Sequence, residues 1–227
     1  WKQITFMNFT VILKFLKDLA RNNNREWFEK NKSRYLESKV HFEEFVANLL
    51  HDMITVDESL SGLDPKKLTF RIYRDVRFSK DKRPYKTNMG ASLSSSGKKG
   101  MGKPGYYLHI EPSNKSFIAA GLYMPMPEEL SKVRQEIDYN GDRLKKILND
   151  KKLKTLFGDF WKADALKNIP KGYDKEHPYG EWLKLKSFII THDLKDADLT
   201  DKNFLKNSIK IMKVSKPLND FLTESIS

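Results

Sequence analysis

The sequence predicts a single α+β domain over residues 1–227: N-terminal helices, a central antiparallel sheet, and C-terminal helices packed on it. Three observations predict it. Apolar residues recur at helical spacing up to Met53, the spacing switches to period two from Leu68, and helical patterns return after Pro127. No internal repeat and no linker of domain-separating length divides the 227 residues.

The elements follow in order. Val11, Ile12, Phe15, Leu16 and Leu19 share one helical face over 10–21, with Thr10 placed to cap it. After Asn22-Asn23-Asn24, Asn23 and Glu26 have capping-box spacing for a second helix. Its apolar face runs from Phe28 through Tyr35, Phe42, Phe45, Val46, Leu49 and Leu50 to Met53. Asp57 to Pro65 is rich in turn residues. From Leu68 to Phe78 the alternation predicts a strand with Leu68, Phe70, Ile72, Val76 and Phe78 on its buried face. A loop over Ser79–Thr87 and a short strand over Ala91–Ser94 come next, then a Ser/Gly/Lys loop to Gly105. Tyr106–Glu111 and Phe117–Met124 read as a hairpin around Pro112–Lys115. Helices are expected over 128–137, 142–148 and 203–213, with a last strand at Ser187–Ile190.

Composition narrows the function classes. Hydrophobic content of 39% with 12% aromatic residues supports a sizeable core. No apolar run approaches the ~20 residues that span a bilayer, so no membrane partner is expected. Lys14 and Lys17-Asp18 interrupt any secretory signal pattern, and a cytoplasmic location is expected. The chain opens on Trp1 and not on methionine, which leaves open native residues ahead of it. The absence of cysteine excludes disulfides, thiolate catalysis and cysteine-ligated metals. The five histidines show no ligand-pair spacing, so neither metal nor cofactor is expected.

Positive charge is local. Twelve lysines and arginines against two aspartates lie between Lys66 and Lys103, a net of +10 out of +12 for the chain. The densest part is Phe70–Lys86. Strand alternation would place Arg71, Asp75 and Arg77 side by side, and leave Arg74 on the apolar face in need of a buried carboxylate. Arg71, Arg77, Lys82 and Lys86 are the candidate anion ligands, because guanidinium forks and ammonium groups suit phosphate. Arg74, Asp75, Ser79, Asp81 and Tyr85 would form the supporting polar network. The alternative is an ion-pair and turn network that only fixes the chain's path.

Other motifs carry less. Gly100-Met-Gly102-Lys-Pro-Gly105 matches a dinucleotide fingerprint literally, but a strand follows it where a helix is needed. Gly97 to Lys103 approaches a P-loop, with Pro104 in place of the magnesium-binding hydroxyl. His109, on the Tyr107/Glu111 face of its strand, is a candidate base or a half-buried surface residue. His177 lies three residues after Asp174, a pairing that serves catalysis or braces a loop.

The stretch F-R-I-Y-R-D-V-R-F-S-K-D-K-R-P-Y-K-T resembles the signature of a widespread bacterial and fungal family known only as a conserved domain of unknown function. Asn22–Phe28, Gly105–Pro112, Ala120–Pro125 and Leu166–Pro178 resemble its other motifs, so the likeness covers almost the whole chain. The resemblance implies that Arg25, Glu26, Arg74, Asp75, Arg77, Asp81, Lys82, Lys86, Lys171 and His177 are polar signature positions, and that Lys171 and His177 join the supporting network. It implies no activity. The sequence therefore supports a domain that binds a phosphorylated small molecule or a nucleic-acid backbone at the Arg71–Lys86 corner. Its rivals are an enzyme using Asp75, Asp81 or His177 as acid or base, and a basic module docking an acidic protein.

Overall fold

The computed structural model describes residues 8–97 and 102–227. The elements run α1 (Phe9–Arg21), α2 (Arg25–Lys30), α3 (Lys32–Ile54), β1 (Met89–Ser94), β2 (Gly105–Ile110), β3 (Ser116–Leu122), α4 (Pro127–Leu148), α5 (Lys151–Phe157), α6 (Gly180–Leu183), β4 (Phe188–Leu194), α7 (Asp196–Thr200) and α8 (Phe204–Ser225). The strands form one antiparallel sheet in the order β1-β2-β3-β4. This is the expected α+β arrangement. No helix among the described residues is long and apolar enough to cross a membrane.

α1 buries Phe9, Ile12, Phe15, Leu16 and Leu19, the stripe its period requires. Its cap is Asn8, whose side chain accepts from the Thr10 and Val11 amides, and not Thr10. α2 is likewise capped by Asn24 and not Asn23. Alternation along the strands splits the sheet into two faces. Ala91, Leu93, Tyr106, Leu108, Ile118, Ala120 and Ile190 are buried on the inner face. There α8 crosses β3, α3 meets β1 and α5 meets β4. Asn219 of α8 donates to the Gly105 carbonyl (3.1 Å), and the Tyr106 hydroxyl donates to buried Asp57 (2.9 Å). The outer face carries Ser92, Tyr107, His109, Phe117 and Thr191, all half-buried.

Three expectations about the helices change, the first being that the second helix, expected to carry its apolar face unbroken from Phe28 to Met53, is two helices, α2 and α3, parted at Asn31. The pieces expected at 128–137 and 142–148 are one helix, α4, with a non-helical residue at Asn140. The last helix runs on through Pro217 to Ser225 because its apolar face continues with Leu218, Phe221 and Leu222. The strand expected over Leu68–Phe78 is absent. Thr69 bridges Ala91 and Tyr73 bridges Tyr85, and the rest of the stretch is irregular. Phe70 (37% exposed) and Phe78 (96% exposed) therefore lie outside the core that alternation assigned them to. The Gly100-Met101 part of the glycine motif falls outside the described residues.

Candidate functional site

The basic corner is a pinched loop. Arg74 N–H donates to the Pro84 carbonyl (2.9 Å) and Lys86 N–H to the Ile72 carbonyl (2.8 Å), so 72–74 and 84–86 run side by side and 75–83 loops out between them. Two identical local devices shape the loop. Asp75 accepts from the Arg77 amide (3.2 Å), Nε (3.0 Å) and Nη2 (2.7 Å). Asp81 holds the Arg83 amide (3.0 Å) and Nη2 (2.7 Å) in the same way. Arg74 ties the loop to its neck, pairing with Asp81 (2.7 Å) and donating to the Arg83 carbonyl (3.1 Å) and Ser79 Oγ (3.4 Å). The buried carboxylate expected for Arg74 is thus the half-exposed Asp81 of the same loop, because without a strand Arg74 never enters the core.

The corner is anchored on the N-terminal helices. Asn23 Nδ2 donates to the Tyr85 carbonyl (3.0 Å), and the Tyr85 amide donates to Asn23 Oδ1 (3.1 Å). The Phe28 ring stacks on Tyr85 at 3.9 Å and 12°, and Tyr73 meets Phe28 edge-on at 5.9 Å. The Asn22–Phe28 motif and the basic segment are therefore two sides of one joint.

Charge sorts the candidate ligands. Arg77's hydrogen bonds hold Asp75 below the usual carboxylate range, and those of Arg83, then Arg74, hold Asp81 far below it. Three arginines thus occupy both aspartates. Lys82 Nζ donates to the Val76 carbonyl (3.1 Å). Arg77 and Lys82 are engaged in the loop, while Arg71 and Lys86 have no ion pair among the described residues. Lys86 is half-buried, its Nζ 5.4 Å from the Phe70 ring centre. Burial, then the neighbouring Arg71 charge, lowers its pKa.

A polar row borders these two cations. Phe70 meets Tyr107 edge-on at 6.1 Å. The Tyr107 hydroxyl lies 3.3 Å from His109 Nδ1, and His109 Nε2 lies 3.0 Å from Glu111 Oε2. A neutral imidazole facing a carboxylate through Nε2 keeps its proton there, so Nδ1 accepts from the tyrosine. His109 stacks on Phe117 at 4.6 Å and 12°, which fixes the ring. Burial, then Tyr123 and Glu111, pushes the Tyr107 phenol up to about 12, so it remains a donor at neutral pH. Sequence reasoning does not single out Tyr107 and Glu111 as site residues. The available signal is their i, i+2, i+4 spacing with His109 on one strand face.

Lys171 and His177 touch a different part of the fold. His177 pairs through Nε2 with Asp138 of α4 (3.0 Å), not with Asp174, and its Nδ1 accepts the Tyr179 amide (3.1 Å). Asp174 instead accepts from the Glu176 amide (2.9 Å). With both nitrogens engaged, the ring braces residues 170–179 against α4. Lys171 lines a cleft there with Arg134 and Tyr173.

An α+β domain with two cations outside any ion pair among the described residues, beside a Tyr-His-Glu row, defines a class by architecture and charge rather than by any known reaction. A family model described as conserved hypothetical protein (DUF2461) matches residues 11–221, and the chain belongs to that family, whose function is unknown. No curated protein and no solved structure matches the chain.

Proposed function

We propose that the chain binds a phosphate-bearing small molecule at Arg71 and Lys86, with Phe70, Tyr107 and His109 beside the bound group. The observation that carries this reading is Lys86: a half-buried ammonium beside Arg71, in no ion pair among the described residues, while the Asp75 carboxylate that lies within reach of Arg71's charge is hydrogen-bonded to Arg77. Removing an ammonium from water is unfavourable unless a counter-charge meets it, and a phosphate oxygen is such a partner. Arg77 and Lys82 then shape the loop, and Asp75 and Asp81 orient arginines. A carboxylate locked on a guanidinium is a poor proton acceptor, which favours binding over acid/base work by these aspartates.

Two cations in one place favour a compact ligand over an extended polyanion. Inorganic pyrophosphate titrated calorimetrically against the chain should bind saturably. Lys86→Met and Arg71→Ala should each weaken it by about tenfold, the loss of one charge-assisted contact. Binding should fall with salt at a log–log slope no steeper than about −2, whereas a nucleic-acid backbone engaging many phosphates gives a much steeper slope. Unchanged affinity in both variants overturns the assignment.

A further inference from the structure

A second group of cations lies apart from the corner, where the Leu166–Pro178 motif meets α4. The cleft there has a volume of about 420 Å³, within the range of sites for metabolite-sized ligands. Its polar walls are Ser131, Arg134, Gln135 and Asp138 from α4, and Lys171 and Tyr173 from the facing loop. Arg134 is half-buried. It donates Nη2 to the Leu185 carbonyl (3.0 Å), while its Nε is buried with no partner. A guanidinium has five N–H donors in a planar fork, and this is the one hydrogen bond of Arg134 among the described residues. Neither Arg134 nor Lys171 has a carboxylate partner among the described residues. The one acid among the described residues that line the cleft, Asp138, is paired with His177 (3.0 Å).

The walls are built. His177 on Asp138 and the Tyr179 hydroxyl on Asp142 tie the loop to α4 at two points one helical turn apart. Gly141 admits the Tyr179 ring, because a Cβ there would collide with it. Tyr179 stacks in turn on Trp182 at 5.0 Å and 4°. These contacts hold Lys171 and Tyr173 across from Arg134. Burial, then Asp138, raises the Tyr173 phenol above its ordinary value, so it too remains a donor.

We infer that the cleft between α4 and residues 170–173 is a second oxyanion site, which takes a small molecule carrying a carboxylate or phosphate group on Arg134 and Lys171. Tyr173, Ser131 and Gln135 supply hydrogen bonds to the rest of the ligand. The inference is independent of the Arg71–Lys86 reading. It also accounts for the make-up of the C-terminal motif, in which the histidine and tyrosine fix the loop while the lysine at its tip faces the ligand.

A residue-resolved amide NMR titration of the full chain with citrate, and separately with inorganic phosphate, tests it. Saturable shifts are expected at Ser131, Gln135, Lys171 and Gly172 with at least one probe, half-complete at or below about 1 mM. Lys171→Ala, an exposed change that leaves the fold intact, should weaken that binding about tenfold, and Arg134→Gln at least as much. Arg71→Ala should leave it unchanged. Absence of saturable shifts around the cleft with both probes, or shifts that persist at full affinity in Lys171→Ala and Arg134→Gln, overturns the inference. Shifts at residues 70–90 report the corner alone, so the two sites fail or stand separately.

Discussion

Asn22, Asn23 and Asn24 close one helix, clamp the corner and open the next helix in turn. Asn22 donates Nδ2 to the Asp18 carbonyl at the end of α1 (3.0 Å), and Asn24 accepts the Trp27 amide at the start of α2 (2.9 Å). Asn23 reaches across 62 residues to both polar backbone groups of Tyr85. An amide side chain is suited to this, because one end donates while the other accepts. Asn23→Ala removes both bonds and strands a partly buried backbone N–H and C=O, which should cost about 1–3 kcal/mol in urea unfolding. Hydrogen exchange at the Tyr85 amide should quicken in step. Wild-type exchange there in the variant would mean that Phe28 stacking alone holds the joint.

At the scale of elements, β3 depends on one residue. Gly121 has φ +119, and a Cβ built on it would run into the Phe188 carbonyl of the neighbouring strand. Gly121→Ala should therefore destabilise the chain by about 3 kcal/mol, combining backbone strain with a main-chain collision, and thermal unfolding measures it. The strand β2 was legible because hydrophobic alternation there reflects real one-sided burial, whereas β1 and β3, buried at all but one position each, were legible as short apolar runs bounded by turn residues. Over Leu68–Phe78 the same alternation misleads. Arg74 and its partners Asp81 and Ser79 impose a local loop geometry, and period-two spacing carries no information about where aspartates will turn back onto arginines two residues on. The basic corner was legible as a concentration of charge. Its sorting was not, since which cations keep a partner depends on the Asp75 and Asp81 turns. The Tyr107–His109–Glu111 row was in plain view as spacing. It gains meaning only because Phe70 leaves the core and brings Lys86 beside it.

For the molecule as a whole, the ionisable groups set the pH window of stability. Asp75, Asp81, Glu181 and Glu224 are held below their ordinary range by hydrogen-bonded cations. Their contribution is complete above about pH 4.5, where the unfolded chain's carboxylates are ionised, and is lost as pH falls through the lower folded values. Tyr85, Tyr106 and Tyr107 are raised, in each case first by burial. What they add is complete below about pH 10 and is lost as pH rises through the folded values. Urea midpoints should thus stay level from about pH 5 to about pH 9 and fall on both sides. An alkaline limb that begins well below pH 9 would contradict the burial of these phenols. The clamp on Tyr85 has a further, kinetic consequence. Lys86 is the next residue, so its backbone is set when the chain folds and not when a ligand arrives. If phosphate binds at Lys86 as proposed, it meets a cation already in position, and capture should proceed as a single concentration-dependent step governed by diffusion and charge, with no slower phase in which a loop closes.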